Sequence, residues 1–140
     1  MHYSACCSCG EVTVQISLPN PIEAYEPRQC DCDFCMARGL AYLSDPNGLL
    51  TITSEKPLKA LKQGSNQASF LQCLGCDQVV AVTCQYETEL RGAASSRLFA
   101  KHYQLATSSP VSPKLLSAVD KRERWLTLWA KVKLIAGGSR

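Results

Sequence analysis

The chain has 140 residues, 46% of them apolar and 19% charged, with a formal net charge of +3. That is enough for one domain with a modest core and argues against disorder. No apolar run approaches the roughly 20 residues of a membrane helix, and "MHYSACCSCGEV" has no basic patch followed by an apolar core, so no secretory signal is read. The expectation is a cytoplasmic protein in a reducing compartment, without a membrane partner.

In chain order, "EVTVQIS" (11–17) alternates, with Val12, Val14 and Ile16 on one face of a half-buried strand. "LPNP" (18–21) and "DPNG" (45–48) are turns. "LLTITS" (49–54) is a second strand, and "KALKQ" (59–63) before the "GSNQ" turn a third. "ASFLQC" (68–73) and "QVVAVTCQY" (78–86) form a hairpin, and "RLFAKHYQLA" (97–106) is read as one more strand. Beyond the loop "TSSPVSP", Ser112 as N-cap and Pro113 at the first helical position predict a helix over 113–130. Leu115, Val119, Leu126 and Trp129 would form its buried face, although "WLTLWAKVKLI" also alternates as a strand would. Gly137 and Gly138 end the pattern. The whole chain, 1–140, reads as a single domain, with a β core over 5–106 and a basic C-terminal segment over 107–140 docked on it.

Charge is uneven. Residues 1–90 hold five Lys/Arg against ten Asp/Glu, and residues 91–140 hold ten against two. The simpler reading is that the basic tail docks on the acidic part; the sharper one is a basic surface for an anionic ligand.

Nine cysteines are far above background. Their number is odd, and the C-x-C loops Cys7–Cys9 and Cys30–Cys32 bridge poorly, so metal ligation is preferred over disulfides. Three groups stand out: Cys7 and Cys9; Cys30, Cys32 and Cys35 in "CDCDFC"; and Cys73 and Cys76 in "CLGC". Thiolates suit zinc, and two pairs from distant points of the chain make one closed tetrahedral site. The three cysteines left in the middle describe a site with an open position, as in catalytic zinc centres, unless Cys84, Cys6, His2 or His102 closes it. A three-ligand site holds metal more loosely and leaves its thiolates open to oxidation, so it can be found empty.

The series C-x-C-G, then C-x-C-x-x-C about twenty residues on, then C-x-x-C some forty residues later, resembles the glutathione-dependent formaldehyde-activating enzyme family, or CENP-V/GFA domain. The likeness covers about residues 5–86. It implies a zinc-bearing β-sandwich of the GFA type, mainly β, here with a short C-terminal helical segment. It also implies two Zn2+ sites: a structural zinc on Cys7, Cys9, Cys73 and Cys76, and a catalytic zinc on Cys30, Cys32 and Cys35. The implied activity is that of a carbon–sulfur lyase acting on S-hydroxymethylglutathione, the adduct of glutathione and formaldehyde. Two positions depart from the family pattern: Asp77 follows Cys76 where Gly is usual, and Asp33 follows Cys32 where Ser is usual.

The mechanism that fits is thiol activation by a Lewis acid, with a small thiol such as glutathione as partner. Arg38, three residues after Cys35, is the first candidate for anchoring a glutathione carboxylate, with Lys101 and Arg122 as further ones. His102 is a candidate proton shuttle, though a lone His is more often structural. Cys84 lies in an apolar run as a buried thiol, and Trp125 and Trp129 read as core anchors for the tail. The competing class is a non-catalytic zinc-stabilised binding module; a metal or redox sensor is a third. Nucleic acid is disfavoured, since aromatics are 7% of the chain and are not interleaved with the basic residues.

Overall fold

A computed structural model describes residues 1–62, 67–112 and 115–136. The fold is mainly β with a short C-terminal helix, as the sequence indicates. Among the described residues, eleven strands belong to one hydrogen-bonded sheet. β1 (His2–Cys6) pairs antiparallel with β2 (Val12–Ser17), and β2 with β5 (Leu49–Ser54). Val12, Val14 and Ile16 are buried at the predicted period of two. β6 (Lys59–Lys62), β7 (Ser69–Gln72), β8 (Val79–Gln85) and β9 (Leu90–Ser95) form an antiparallel meander. Gln63 to Asn66, in the expected third strand and its turn, lie outside the described residues.

The sheet divides at β9. One edge of β9 pairs with β8 along its length. The other is shared by β4 (Ala41–Leu43), which takes Ala94 and Ser95, and β11 (Ala130–Ala136), which takes Arg91 and Gly92. One wing continues from β4 to β3 (Arg28–Cys30) and β10 (Ser109–Val111). The other continues from β11 to β5, β2 and β1. Val14, Ile16, Leu50 and Ile52 from that second wing share a core with Val80, Ala94 and Leu43. A second cluster lies on the other face of the meander: Phe70, Val82, Cys84 and Ala93 with Tyr42, Cys30, Cys35 and Trp129. Buried on both faces from Val79 to Cys84, β8 does not alternate.

Two of the predicted elements differ, and β1, β3, β4, β9 and β10 are strands that the sequence reading did not place. Residues 97–106 are not a strand: Ser96–Phe99 forms the short helix α2, whose Leu98 and Phe99 are fully buried. The tail helix, labelled α3, spans Ala118–Leu128 and not 113–130. Its N-cap is Ser117, whose hydroxyl accepts from the Asp120 N–H at 3.1 Å. Ser112 instead donates to Asp31 Oδ2 at 2.5 Å, and Pro113 lies outside the described residues. Of the four residues expected on the buried face only Trp129 is inside; Leu115 is 79% exposed, Val119 65% and Leu126 43%. The helix rests on Trp125 and Leu128 instead. The alternation after Trp129 becomes β11, inserted between β5 and β9, so the tail supplies an interior strand. Gly137 and Gly138 are outside the described residues.

Candidate metal centres and the triad cavity

The β1–β2 turn carries Cys7 and Cys9, and the β7–β8 turn carries Cys73 and Cys76. Main-chain bonds shape both turns: Gly10 N–H donates to the Cys7 carbonyl at 3.0 Å, and Asp77 N–H to the Cys73 carbonyl at 2.9 Å. Gln78 Oε1 ties them together by accepting from Ser8 N–H and Ser8 Oγ at 2.8 and 3.0 Å. The four sulfurs lie within 4.8 Å of one another. Cys7 and Cys9 Sγ stand 3.6 Å apart, as do Cys9 and Cys73 Sγ. Sulfurs bound tetrahedrally at about 2.3 Å from an ion stand about 3.8 Å apart, so the donor set fits a metal. It does not fit a disulfide, whose sulfurs are about 2.05 Å apart, and all nine cysteines are free thiols. Gly75 fits the same arrangement, because a Cβ there would lie 2.7 Å from Glu11 Oε2 and 3.1 Å from Cys9 Sγ.

The N–H groups of Val12 and Gly75 donate to Cys7 and Cys73 Sγ at 3.4 and 3.3 Å, as suits thiolates. Burial opposes ionisation of Cys7, but the Val12 N–H and the sulfurs of Cys9, Cys73 and Cys76 outweigh it and bring the thiol down to about 7. Burial pushes Cys73 up to about 12. A cation placed among the sulfurs reverses that penalty.

The triad is built differently. Cys30 ends β3, where Asp31 N–H donates to the Val111 carbonyl of β10 at 3.1 Å. Cys32 is the N-cap of α1 (Asp33–Arg38), its sulfur accepting from Cys35 N–H at 3.4 Å. Gly39 closes the helix with φ 62°. Asp33, exposed in the first helical turn, is well placed against the helix dipole. The sulfurs of Cys30, Cys32 and Cys35 lie within 4.8 Å of one another. Among the described residues no further His, Cys, Asp or Glu joins this group, so Cys84, Cys6, His2, His102 and Asp33 all stand outside it. The hydrogen bond from Cys35 brings Cys30 down to about 6; the same bond, with burial, pushes Cys35 up, and burial raises Cys32. Tyr42 places its hydroxyl 3.4 Å from Cys35 Sγ, and burial raises its phenol.

The triad borders a cavity of about 80 Å³. Cys30, Cys35 and Tyr42 line it on one side, and Phe70, Trp125 and Trp129 give it apolar walls. The two indoles stack at 4.7 Å with 6° between their planes, so the tryptophans read as tail anchors also wall this space. Two cations reach it, Arg28 and Arg124. Burial, then the nearby Arg124, lowers the Arg28 guanidinium from its ordinary value.

Arg38 does not line this cavity. Its guanidinium lies 3.8 Å over the Phe34 ring and donates to the Phe34 carbonyl, beside a groove shared with Arg97, Gln78 and Ser8. Lys101 borders a neighbouring groove with Arg97. Arg122 is committed to Cys84 Sγ at 3.1 Å and the Gln85 carbonyl at 3.2 Å, over the Tyr86 ring. Arg28 was legible, since it lies two residues before Cys30 and a strand turns both to one face. Arg124 was not, because only the tail's return brings it there.

Fold and clusters together define a mainly β protein with two cysteine sets able to hold metal ions, one closed by four thiols and one open with three. No family model and no curated protein matches the chain. A crystal structure of a Rhodobacter sphaeroides protein, a structural-genomics target, is similar in fold, with a TM-score of 0.52 and 20% identity. The likeness covers 75% of this chain and all of that one.

Proposed function

We propose that the protein is a zinc-dependent carbon–sulfur lyase acting on a thiol adduct of the S-hydroxymethylglutathione type. One observation carries the reading: among the described residues three thiols converge with no fourth His, Cys, Asp or Glu beside them, and they do so beside a cavity. The resemblance of the cysteine series to the formaldehyde-activating family supports the choice of zinc, of glutathione and of formaldehyde.

Zinc at the triad supplies Lewis acidity, lowering the pKa of a substrate thiol and favouring its thiolate as nucleophile or leaving group. The residues around it supply the rest. Cys30, already ionised near neutrality, begins the ligand set, and α1 presents Cys32 and Cys35 from one turn. Phe70, Trp125 and Trp129 give the cavity apolar walls, beside which charge interactions are stronger than in open water. Tyr42 stays protonated and can hydrogen-bond an aldehyde oxygen. In the lyase direction the carbon–sulfur bond breaks, sulfur keeps the electron pair, and the hydroxyl proton leaves as the carbonyl forms.

Exchange NMR of glutathione and formaldehyde tests this. Zinc-loaded protein should accelerate interconversion with the adduct, and Cys32→Ser should abolish the acceleration. No acceleration by fully loaded protein, with glutathione or with 3-mercaptopropionate in its place, would overturn the enzyme reading. The exposed Leu115, Val119 and Leu126 favour the second reading, a zinc-stabilised binding module whose tail meets a protein partner.

A further inference from the structure

We propose that the triad cavity takes a short thiol bearing a carboxylate, with the sulfur at the cysteines and the carboxylate at Arg28 and Arg124. The sulfur end rests on the thiol reading above and narrows its thiol from glutathione to a shorter one; the carboxylate end rests on the cavity alone.

Arg28 and Arg124 line one small space with mostly aromatic and aliphatic walls. Among the described residues neither has an ion-pair partner; the pairs present are Lys56–Glu11 and Arg91–Glu89. Arg28 is half-buried, and its one side-chain bond goes to Ser44 Oγ, which itself donates to the Leu128 carbonyl at 2.7 Å. Ser44 therefore fixes the guanidinium and the end of α3 together, without neutralising the charge. Arg28, half-buried beside apolar walls with the like charge of Arg124 near it, gains from an anion that joins the two. Planar guanidinium groups suit a carboxylate in particular, because they can donate in pairs.

Strand geometry sets the spacing. Arg28 and Cys30 are two residues apart on β3, roughly 7 Å along one face, and Cys30 and Arg28 both line the cavity. Size limits the ligand further. A water needs roughly 10–15 Å³ of such space, so about 80 Å³ holds a handful of heavy atoms. A mercaptopropionate-sized molecule fits within; a tripeptide thiol would have to leave most of itself outside.

Four probes on the cobalt-loaded full chain test this: 3-mercaptopropionate, its neutral isostere 3-mercaptopropionamide, thiol-free propionate, and glutathione. Calorimetry reads affinity, and sulfur-to-cobalt charge-transfer absorption reads whether the thiol reaches the metal. The acid should bind about tenfold or more tighter than the amide, the gain expected of hydrogen bonds to a charged group. Arg124→Gln should erase that difference, with melting temperature and cobalt content unchanged, because Arg124 is exposed. Equal binding of acid and amide, with the absorption responding to both, would overturn the carboxylate site and leave the thiol reading standing. No absorption change with any thiol would remove the thiol reading, and propionate then decides: binding lost in Arg124→Gln upholds the carboxylate site, and no binding ends it. Glutathione binding tighter than 3-mercaptopropionate would overturn the short-thiol class.

Discussion

The four-cysteine cluster draws one pair from the β1–β2 turn and the other from the β7–β8 turn, with Cys9 and Cys73 separated by 64 positions. The triad takes all its sulfurs from residues 30–35, one strand end and the first turn of a helix. Closing the longer loop restricts the unfolded chain by about 2 kcal/mol more than closing the shorter one. A metal on the first cluster would tie remote segments and leave no open coordination position; one on the second would tie almost nothing and would border the cavity. With metal bound, the same side chain would serve a crosslink in one place and could serve chemistry in the other, and topology would set the difference.

The largest effect that would break this contrast comes from Cys73→Ser and Cys32→Ser compared. A structural zinc contributes about 10–16 kcal/mol of apparent binding energy in small domains, much of it folding energy. Cys73→Ser should therefore fail to fold or lose well over ten degrees of melting temperature, roughly. Cys32→Ser keeps a good N-cap for α1 and should stay within about 1 kcal/mol of wild type, losing one metal per chain. Thermal melts with metal counts decide it. If Cys32→Ser melts as early as Cys73→Ser, the triad is a structural site.

A smaller effect separates the clusters by proton count. Near neutral pH the metal-free triad has Cys30 ionised, with its thiol at about 6, while Cys32 and Cys35 are raised and keep their protons. Metal must displace those two protons, so apparent affinity rises with pH by about tenfold per proton, roughly a hundredfold per pH unit. Below about 6 Cys30 holds a third proton and the dependence steepens. In the other cluster Cys9 and Cys73 are raised and Cys7 sits at about 7, so more protons leave and the slope is greater. Chelator competition on wild type and Cys32→Ser, which isolates the four-cysteine site, measures both. A three-proton slope for the triad at neutral pH would show that Cys30 is not ionised ahead of its neighbours.

Much of this was readable from sequence because it is local. The spacing of the cysteines announced both clusters, and strict alternation announced β2. What the sequence does not show depends on distant pairing. β9 is "LRGAAS", too small and too apolar to alternate, yet it joins β8, β4 and β11. The tail offered two phases, and the buried one runs through Trp125 and Leu128, with Leu115 and Val119 outside. The cavity was hidden for the same reason. Arg28 and Cys30 share a strand face, but Arg124 and the stacked tryptophans arrive from almost a hundred residues later.

The smallest effect concerns how each cysteine loop ends. All three close on a left-handed residue: Gly10 after Cys9, with φ 82°, Gly39 after α1, with φ 62°, and Asp77 after Cys76, with φ 60°. Glycine adopts this conformation freely, whereas a residue with a Cβ pays roughly 1 kcal/mol or more, and Asp is among the better tolerated. The resembled family pattern carries Gly at the position of Asp77, and the backbone gives the reason. The Asp77 side chain is exposed, and the bonds that hold the turn are main-chain ones: its N–H to the Cys73 carbonyl at 2.9 Å, and its carbonyl accepting from Gln72 Nε2 at 2.6 Å. Asp77→Gly keeps both, relieves the strain, and loses part of the gain to a more flexible unfolded chain. The net should be a stabilisation of about 0.5 kcal/mol, a rise of roughly two or three degrees in melting temperature. Gly39→Ala should do the reverse and by more, because its Cβ would also lie 2.9 Å from Arg97 Nη1. Melts of the two variants with metal bound check both signs. If Asp77→Gly lowers the melting temperature, the Asp77 carboxylate supports the four-cysteine turn in a way its exposure does not suggest.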